Sequence, residues 1–173
     1  MKKTIIVDSR EHQHVITQIL KIFEKRGFDY MVSKLPIADY ALLTDMSLVI
    51  DRKRNLNELC SNVGYEHERF SAELLRAQEH GIKVIVLCEH GHGIRNLADV
   101  AGWVNPRAKT FRRVNGRIVV EHHRVMQGAT LCKTLMTMER EYGVQFLFCE
   151  KWETGDRIID LLTNRPDKPG GSA

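Results

Sequence analysis

Apolar and polar positions alternate along the chain in two rhythms, one of period two and one of period 3.6. "TIIVD" (residues 4–8) is a short apolar run ending at Asp8, the pattern of a buried strand. Val15, Ile16, Ile19, Leu20 and Phe23 then recur at helical spacing over 13–26, and Gly27 stops that helix. A brief strand at 28–33 leads through Pro36 to two strands within residues 37–53, joined around "TDMS". "NLNELCSNV" reads as a short helix. "YEHERFSAELLRAQEHG" reads as a longer one, with Phe70, Leu74 and Leu75 inward and Gly81 as terminator. "KVIVLCE" (83–89) carries an uninterrupted, β-rich apolar run and predicts a strand buried on both faces. "FRRVNGRIVVEHH" predicts a hairpin, because Asn115-Gly116 is favoured in a two-residue turn. Residues 127–142 predict a helix ending at Gly143, "VQFLF" a core strand, and "TGDRIIDLL" a closing helix with Thr154 as N-cap.

Strands alternating with helices imply an α/β sandwich, and the hairpin makes its central sheet mixed. A chain of 173 residues, 43% hydrophobic, can bury a core without staples. It divides into one domain at 1–163, a basic hairpin inserted at 105–124, and a Pro/Gly-rich flexible tail at 164–173.

Composition narrows the function classes. The balance of 26 basic against 22 acidic residues gives +4, compatible with a polyanionic partner. Four cysteines without a CxxC pair read as reduced thiols of a cytoplasmic protein. The N-terminal apolar run, Ile5 to Val7, is too short for a membrane span or a signal peptide. No glycine-rich turn follows "TIIVD", which argues against a dinucleotide-type organic cofactor. Cys88, His90 and His92 in "CEHGHG" have ligand-like spacing but lack a completing pair for zinc, so Cys88 is expected in the core and the His/Gly stretch in a loop. Tyr40, Trp103 and the methionines 126, 136 and 138 read as packing or interface residues.

Among the charged residues that the strands at 37–53 carry beside their apolar ones, Asp39, Asp51 and Lys53 are the candidates for a shared site. Side chains alternate along a strand, so Asp51 and Lys53 share a face and Arg52 points away. If Asp45, Met46 and Ser47 form a three-residue loop, Asp39 falls opposite Lys53 and joins that face. A two-residue loop pairs it with Arg52 instead, so a shared site needs the longer turn or a bulge. Two converging carboxylates repel unless a cation or proton intervenes. A hard ion such as Mg²⁺ suits them, since it takes oxygen ligands and keeps several waters. An ammonium alongside can position a water for attack on phosphorus, so acid, spacer, acid-x-Lys is a pattern suited to phosphodiester hydrolysis. By itself the pattern is weak, and is more often that of exposed charges at strand ends.

"VDSRE", "ADY" after "LPI", "VIDRKR", "RF..EL..AQ" and "KVIVLCE" follow one another in order. Together they resemble the nuclease domain of the XPF family of structure-specific endonucleases, within the restriction-endonuclease-like PD-(D/E)xK superfamily. That family runs DxRE, GDY, ERK, a helix with an arginine, and an apolar strand ending in Glu. "EYGVQFLFCEKWETGDRIIDLL" resembles its closing strand and helix. The resemblance spans about residues 4–90 and 127–162, and implies a three-layer sandwich with a central mixed β-sheet flanked by helices. It implies Asp39 and Asp51 as ligands of Mg²⁺, for which Mn²⁺ can substitute, with the backbone carbonyl of Arg52 as a further ligand and Lys53 handling the attacking water. Asp8, Arg10 and Glu11 would line the same cleft, Asp8 or Glu11 close to the metal and Arg10 near the scissile phosphate. Arg69 matches the helix arginine. Two departures stand out: Ala38 replaces the usual Gly, which would reshape the backbone slightly, and Asp51 replaces the usual Glu.

The resemblance further implies branched or flap DNA as substrate, in repair, recombination or phage DNA processing, and a homodimer through the nuclease domain. No helix-hairpin-helix module is read after residue 163, as in a stand-alone phage or bacterial member. The insertion brings Arg107, Lys109, Arg112, Arg113, Arg117 and Arg124 against the single acid Glu121, so it is expected to grip a phosphate backbone. The competing reading is a non-catalytic nucleic-acid-binding or scaffold protein that keeps the fold.

Overall fold

The computed structural model describes residues 2–164; the tail expected at 164–173 lies outside them but for Asn164. Eight strands and six helices follow in the order β1 (Thr4–Asp8), α1 (Gln13–Lys25), β2 (Asp29–Ser33), β3 (Tyr40–Leu42), β4 (Asp45–Lys53), α2 (Leu56–Val63), α3 (His67–Glu79), β5 (Lys83–Glu89), α4 (Leu97–Val100), β6 (Lys109–Val114), β7 (Arg117–His122), α5 (Gly128–Tyr142), β8 (Gln145–Cys149) and α6 (Thr154–Thr163). Six strands make one mixed sheet in the order β2-β1-β3-β4-β5-β8, and β6 and β7 pair apart from it. β3 runs antiparallel to β1 and β4, while β4, β5 and β8 are mutually parallel. This is the expected three-layer α/β sandwich.

Alternation along the strands divides the core into two layers. Ile5, Val7, Tyr40, Ile50, Ile85 and Leu87 face α1 and α6. On the opposite face, Ile6, Ala41, Val49, Val84, Val86 and Cys88 meet α2, α3 and α5. Helix α1 packs through Ile16, Ile19, Leu20 and Phe23, all buried at helical spacing. Each such side chain contributes about 1.5–3 kcal/mol on leaving water. α2 is capped by Asn55, whose side chain accepts from Glu58 N. α5 ends at Gly143, in the left-handed conformation.

Local details depart from the sequence pattern. Leu75 is exposed, because α3 buries the stripe Phe70, Ser71, Leu74 and Ala77 and Leu75 lies round the helix from it. Thr154 is not a cap but the first residue of α6: a 3₁₀ turn at Lys151–Glu153 leads in, and the Thr154 hydroxyl is buried beside the Cys149 thiol. Met136 is exposed, whereas Met138 is in the core and Trp103 packs against it. The four-residue α4 was not legible in the pattern. No helix among the described residues is long and apolar enough to cross a membrane.

Candidate active site

The strands at 37–53 do not turn where the polar residues suggested. Leu43 and Thr44 form the turn, and Asp45 already belongs to β4, opposite Leu42. Tyr40 pairs with Ile50 and Ala41 with Val49, so Met46, Ser47 and Leu48 form a bulge before the register is recovered. Asp45 stabilises the start of the bulge by accepting from both the N–H and the hydroxyl of Ser47, while Met46 packs on the core. Continuing the Tyr40–Ile50 register by one residue brings Asp39 beside Asp51, not opposite Lys53 as a three-residue loop would. The bulge supplies what that loop was expected to supply.

The backbone fixes Asp39 on three sides. Its N–H donates to Ile50 O at 3.0 Å, and its carbonyl accepts from Asp8 N at 2.8 Å. Its Oδ2 accepts from Arg52 N at 2.7 Å. Burial, and after it the charge of Asp51, hold the Asp39 carboxyl well above the usual carboxylate range; Lys53 opposes this only in part. Lys53 Nζ lies 2.9 and 2.7 Å from the two oxygens of Asp51. Burial alone would lower the Lys53 pKa, but the Asp51 charge and hydrogen bond outweigh it, so the ammonium is held protonated. The Arg52 side chain points away, as alternation requires. It forms a two-pronged bond to Glu89 at 2.8 and 3.0 Å, and donates to Glu11 Oε2 at 3.0 Å.

Around this centre the DxRE residues take distinct places. Asp8 is wholly buried and its four acceptor positions are in use: Oδ1 accepts from Arg10 N and Nε, Oδ2 from Leu35 N and Arg10 Nη2. It orients Arg10 and the 33–36 loop, and no lone pair is left over for an ion. Burial would raise its pKa, yet the Arg10 and Leu35 bonds bring it below the ordinary value. Arg10 also donates to Leu35 O and feels the charges of Asp39 and Glu73. Glu11 Oε2 additionally accepts from the hydroxyl of Tyr40, 3.4 Å away. The charge of Glu11 adds to the rise at Asp39.

Arg69 of α3 pairs with Glu66, the residue just before that helix, and senses Asp51. With Lys53, Arg54 and Arg107 it lines a cleft of about 420 Å³, which thus runs from Lys53 to the root of the β6–β7 hairpin. Lys109, Arg112, Arg113 and Arg117 lie further out, all exposed, on β6 and β7. Two residues of the site went unassigned in the sequence. Glu73 of α3 accepts from Ala38 N at 3.4 Å; its spacing of four from Arg69 places both on one helix face. Glu89 anchors Arg52, and the available signal was a carboxylate closing the apolar run of β5. Ala38, just before Asp39, has a left-handed backbone, with φ +62°, a region that favours glycine.

Among the described residues no group of three or more His, Cys, Asp or Glu is arranged to hold a metal ion. Cys88 is buried and His90 accepts from Leu56 N while packing edge-on against Trp103, in keeping with core and loop roles. What the site offers an ion is the pair Asp39 and Asp51. Their mutual repulsion leaves the centre short of positive charge, and Mg²⁺ commonly takes one or two carboxylates and completes its shell with water. The donor set fits such an ion.

A family model described as the ERCC4 domain matches residues 7–161. The fold is similar to that of XPF from Aeropyrum pernix, with 21% identity, a TM-score of 0.60, and coverage of 94% of this chain and 66% of that one. It is also similar to XPF from Aeropyrum pernix in complex with DNA, with 18% identity, a TM-score of 0.57, and coverage of 97% and 69%. The chain therefore spans about two thirds of the length of those solved chains. No curated protein matches it.

Proposed function

The chain belongs to the ERCC4 domain family, and we propose that it is a metal-dependent DNA endonuclease that hydrolyses phosphodiester bonds by direct attack of water. The observation that carries this reading is the juxtaposition of Asp39, Asp51 and Lys53, produced by the β3–β4 bulge. Similarity to a protein solved with DNA supports nucleic acid as the partner. Asp39 and Asp51 would hold Mg²⁺ or Mn²⁺ together with the Arg52 carbonyl. When bound, the ion supplies Lewis acidity, neutralising phosphoryl charge and making water more acidic.

The protein's own groups do the remainder. Lys53 is tethered by Asp51 and stays protonated, so it donates hydrogen bonds to the attacking water or a phosphoryl oxygen and does not act as a base. Arg10 is held in place by Asp8 and presents a partly exposed guanidinium to phosphate. Arg69 and Arg107, lining the adjoining cleft, extend the same positive track. Branched or flap DNA, a homodimer, and a place in repair, recombination or phage DNA processing belong to this reading through the family resemblance.

The test is cleavage of linear, flap and single-stranded DNA by the purified chain, with Mg²⁺, with Mn²⁺ or with chelator. Cleavage that requires the cation and disappears in Asp51→Ala is expected. A wild type indistinguishable from Asp51→Ala under every condition leaves the non-catalytic binding protein as the better description.

A further inference from the structure

We propose that one face of the β6–β7 hairpin, centred on Phe111 and Ile118, is a contact surface for unpaired nucleobases. This rests on the nuclease reading for its partner and adds what the basic residues alone do not specify: which feature of the nucleic acid the insertion engages.

The strand register defines the two faces. Lys109 pairs with His122, Phe111 with Val120 and Arg113 with Ile118, so these six side chains share one face. Its apolar centre is open to solvent, with Phe111 69%, Ile118 68% and Val120 43% exposed, and Lys109 and Arg113 flank it. The other face is built differently. There Arg112 pairs with Glu121 at 2.7 Å, and Val114 and Val119 are less exposed than Phe111 and Ile118.

No strand of the main sheet pairs with the hairpin, which has solvent on both sides. An isolated two-stranded ribbon is marginal in water, and an aromatic and two aliphatic side chains on one of its faces reduce its solubility further. Such a face persists without burial only at a cost, and it is stabilised when a flat apolar partner covers it. The flanking cations select that partner. Two copies of the face brought together would oppose like charges, whereas a nucleic-acid strand supplies phosphates at the rim and bases at the centre. Phe111 and Ile118 carry no side-chain donor or acceptor with which to read base edges in a duplex groove. They match the faces of bases, which are accessible only where the strand is unstacked. Arg107, at the hairpin root, lines the cleft shared with Lys53 and Arg69. Phe111 is four residues further out, within about 14 Å at roughly 3.4 Å per residue. A single strand that leaves the cleft along the hairpin has Phe111 within reach.

Fluorescence anisotropy in chelator, so that no strand is cut, tests this with oligo(dT) and a blunt duplex as probes. Phe111→Ala is expected to weaken oligo(dT) binding about 5- to 150-fold, the effect of one lost base stack, and Phe111→Trp to preserve it. Duplex affinity and the salt dependence of binding should stay as in wild type. Arg113→Ala, by contrast, should reduce the slope of log K against log salt by about 0.7. Because Phe111 is exposed, the melting temperature should not move. Unchanged oligo(dT) affinity in Phe111→Ala overturns the inference, as does an equal loss for duplex. Light scattering that shows a wild-type dimer dissociated by Phe111→Ala also overturns it, and assigns the face to a second copy of the chain. Asp51-dependent cleavage, measured separately, keeps a failure here distinct from a failure of the nuclease reading.

Discussion

The main-chain N–H of Arg52 donates to Asp39 Oδ2 at 2.7 Å, so β4 holds with its backbone the carboxylate that its own Asp51 repels. Attraction and repulsion come from neighbouring residues of one strand. Asp39 is thereby kept in place although its charge is unwelcome there, the condition of a site prepared for a cation. The hydrogen bond needs only an acceptor, which asparagine also provides.

Asp39→Asn is therefore expected to fold normally and to separate the cost of the charge from its use. Native Asp39 binds its proton more tightly than an unfolded aspartate does. Its contribution to stability is present below the ordinary value of 3.8 and is lost as pH rises through the raised native value. Without divalent cation the variant should melt about 2–4 °C above wild type near pH 8, the equivalent of roughly 1 kcal/mol, and the gap should close only as pH falls toward 3.8. Saturating Mg²⁺ should raise the wild-type melting temperature and leave the variant almost unmoved. Equal shifts in the two proteins would remove Asp39 from the ligand set.

Ala38 offers a test of backbone strain at the same place. Its φ of +62° costs an L-residue about 1–2 kcal/mol, while glycine there would forfeit about 0.5–1 kcal/mol of chain entropy. Ala38→Gly should therefore gain roughly 0.5–1 kcal/mol in urea unfolding and retain cleavage. Ala38→Val should lose more than about 2 kcal/mol, because a β-branched residue tolerates this backbone poorly and the site is buried. It should also slow cleavage, since Asp39 is the next residue. A less stable Ala38→Gly would remove the strain account.

The legible parts of the fold and site were those set by local periodicity. The run "KVIVLCE" could only be satisfied as β5, buried on both faces, and period two alone put Asp51 and Lys53 together and sent Arg52 the other way. The turn was not legible. Leu43 and Thr44 carry no turn signal, whereas Asp45 and Ser47 do, and their polar bonds were spent on a bulge inside β4. Met46, inside that bulge, packs on the core, a long-range contact that local turn signals do not carry. Glu73 and Glu89 escaped for a similar reason. Each finds its partner across more than thirty residues of sequence, through helix docking or a neighbouring strand.

The Arg52–Glu89 pair should show strong coupling. Both side chains are buried, so removing either leaves the other uncompensated, at a cost of about 3–5 kcal/mol for Arg52→Met or Glu89→Leu. The double variant should be more stable than the sum of the two losses allows, with a coupling energy of at least about 1.5 kcal/mol in a urea double-mutant cycle. Cleavage should behave otherwise. Arg52 also holds Glu11 beside the acidic centre, so the double variant should regain stability without regaining activity. Additive losses would reduce the pair to two independent contacts.

Asp8 distinguishes a scaffold carboxylate from a ligand. Asp8→Asn keeps its shape but cannot accept at both ends, so Leu35 N–H or the Arg10 guanidinium loses its partner. We expect a loss of about 3 kcal/mol at neutral pH, read as a shifted urea midpoint at unchanged slope. The sign of the pH dependence follows from the lowered native pKa. Below the ordinary value of 3.8 the unfolded aspartate binds its proton first, so the stabilisation is complete above that pH and is lost as pH falls through the native value. The gap between wild type and Asp8→Asn should thus be flat from about pH 5 to pH 8 and narrow in acid, opposite to the trend for Asp39→Asn. Mg²⁺ should raise the melting temperature of Asp8→Asn as much as that of wild type. A variant that folds as well as wild type but no longer responds to Mg²⁺ would return Asp8 to the metal.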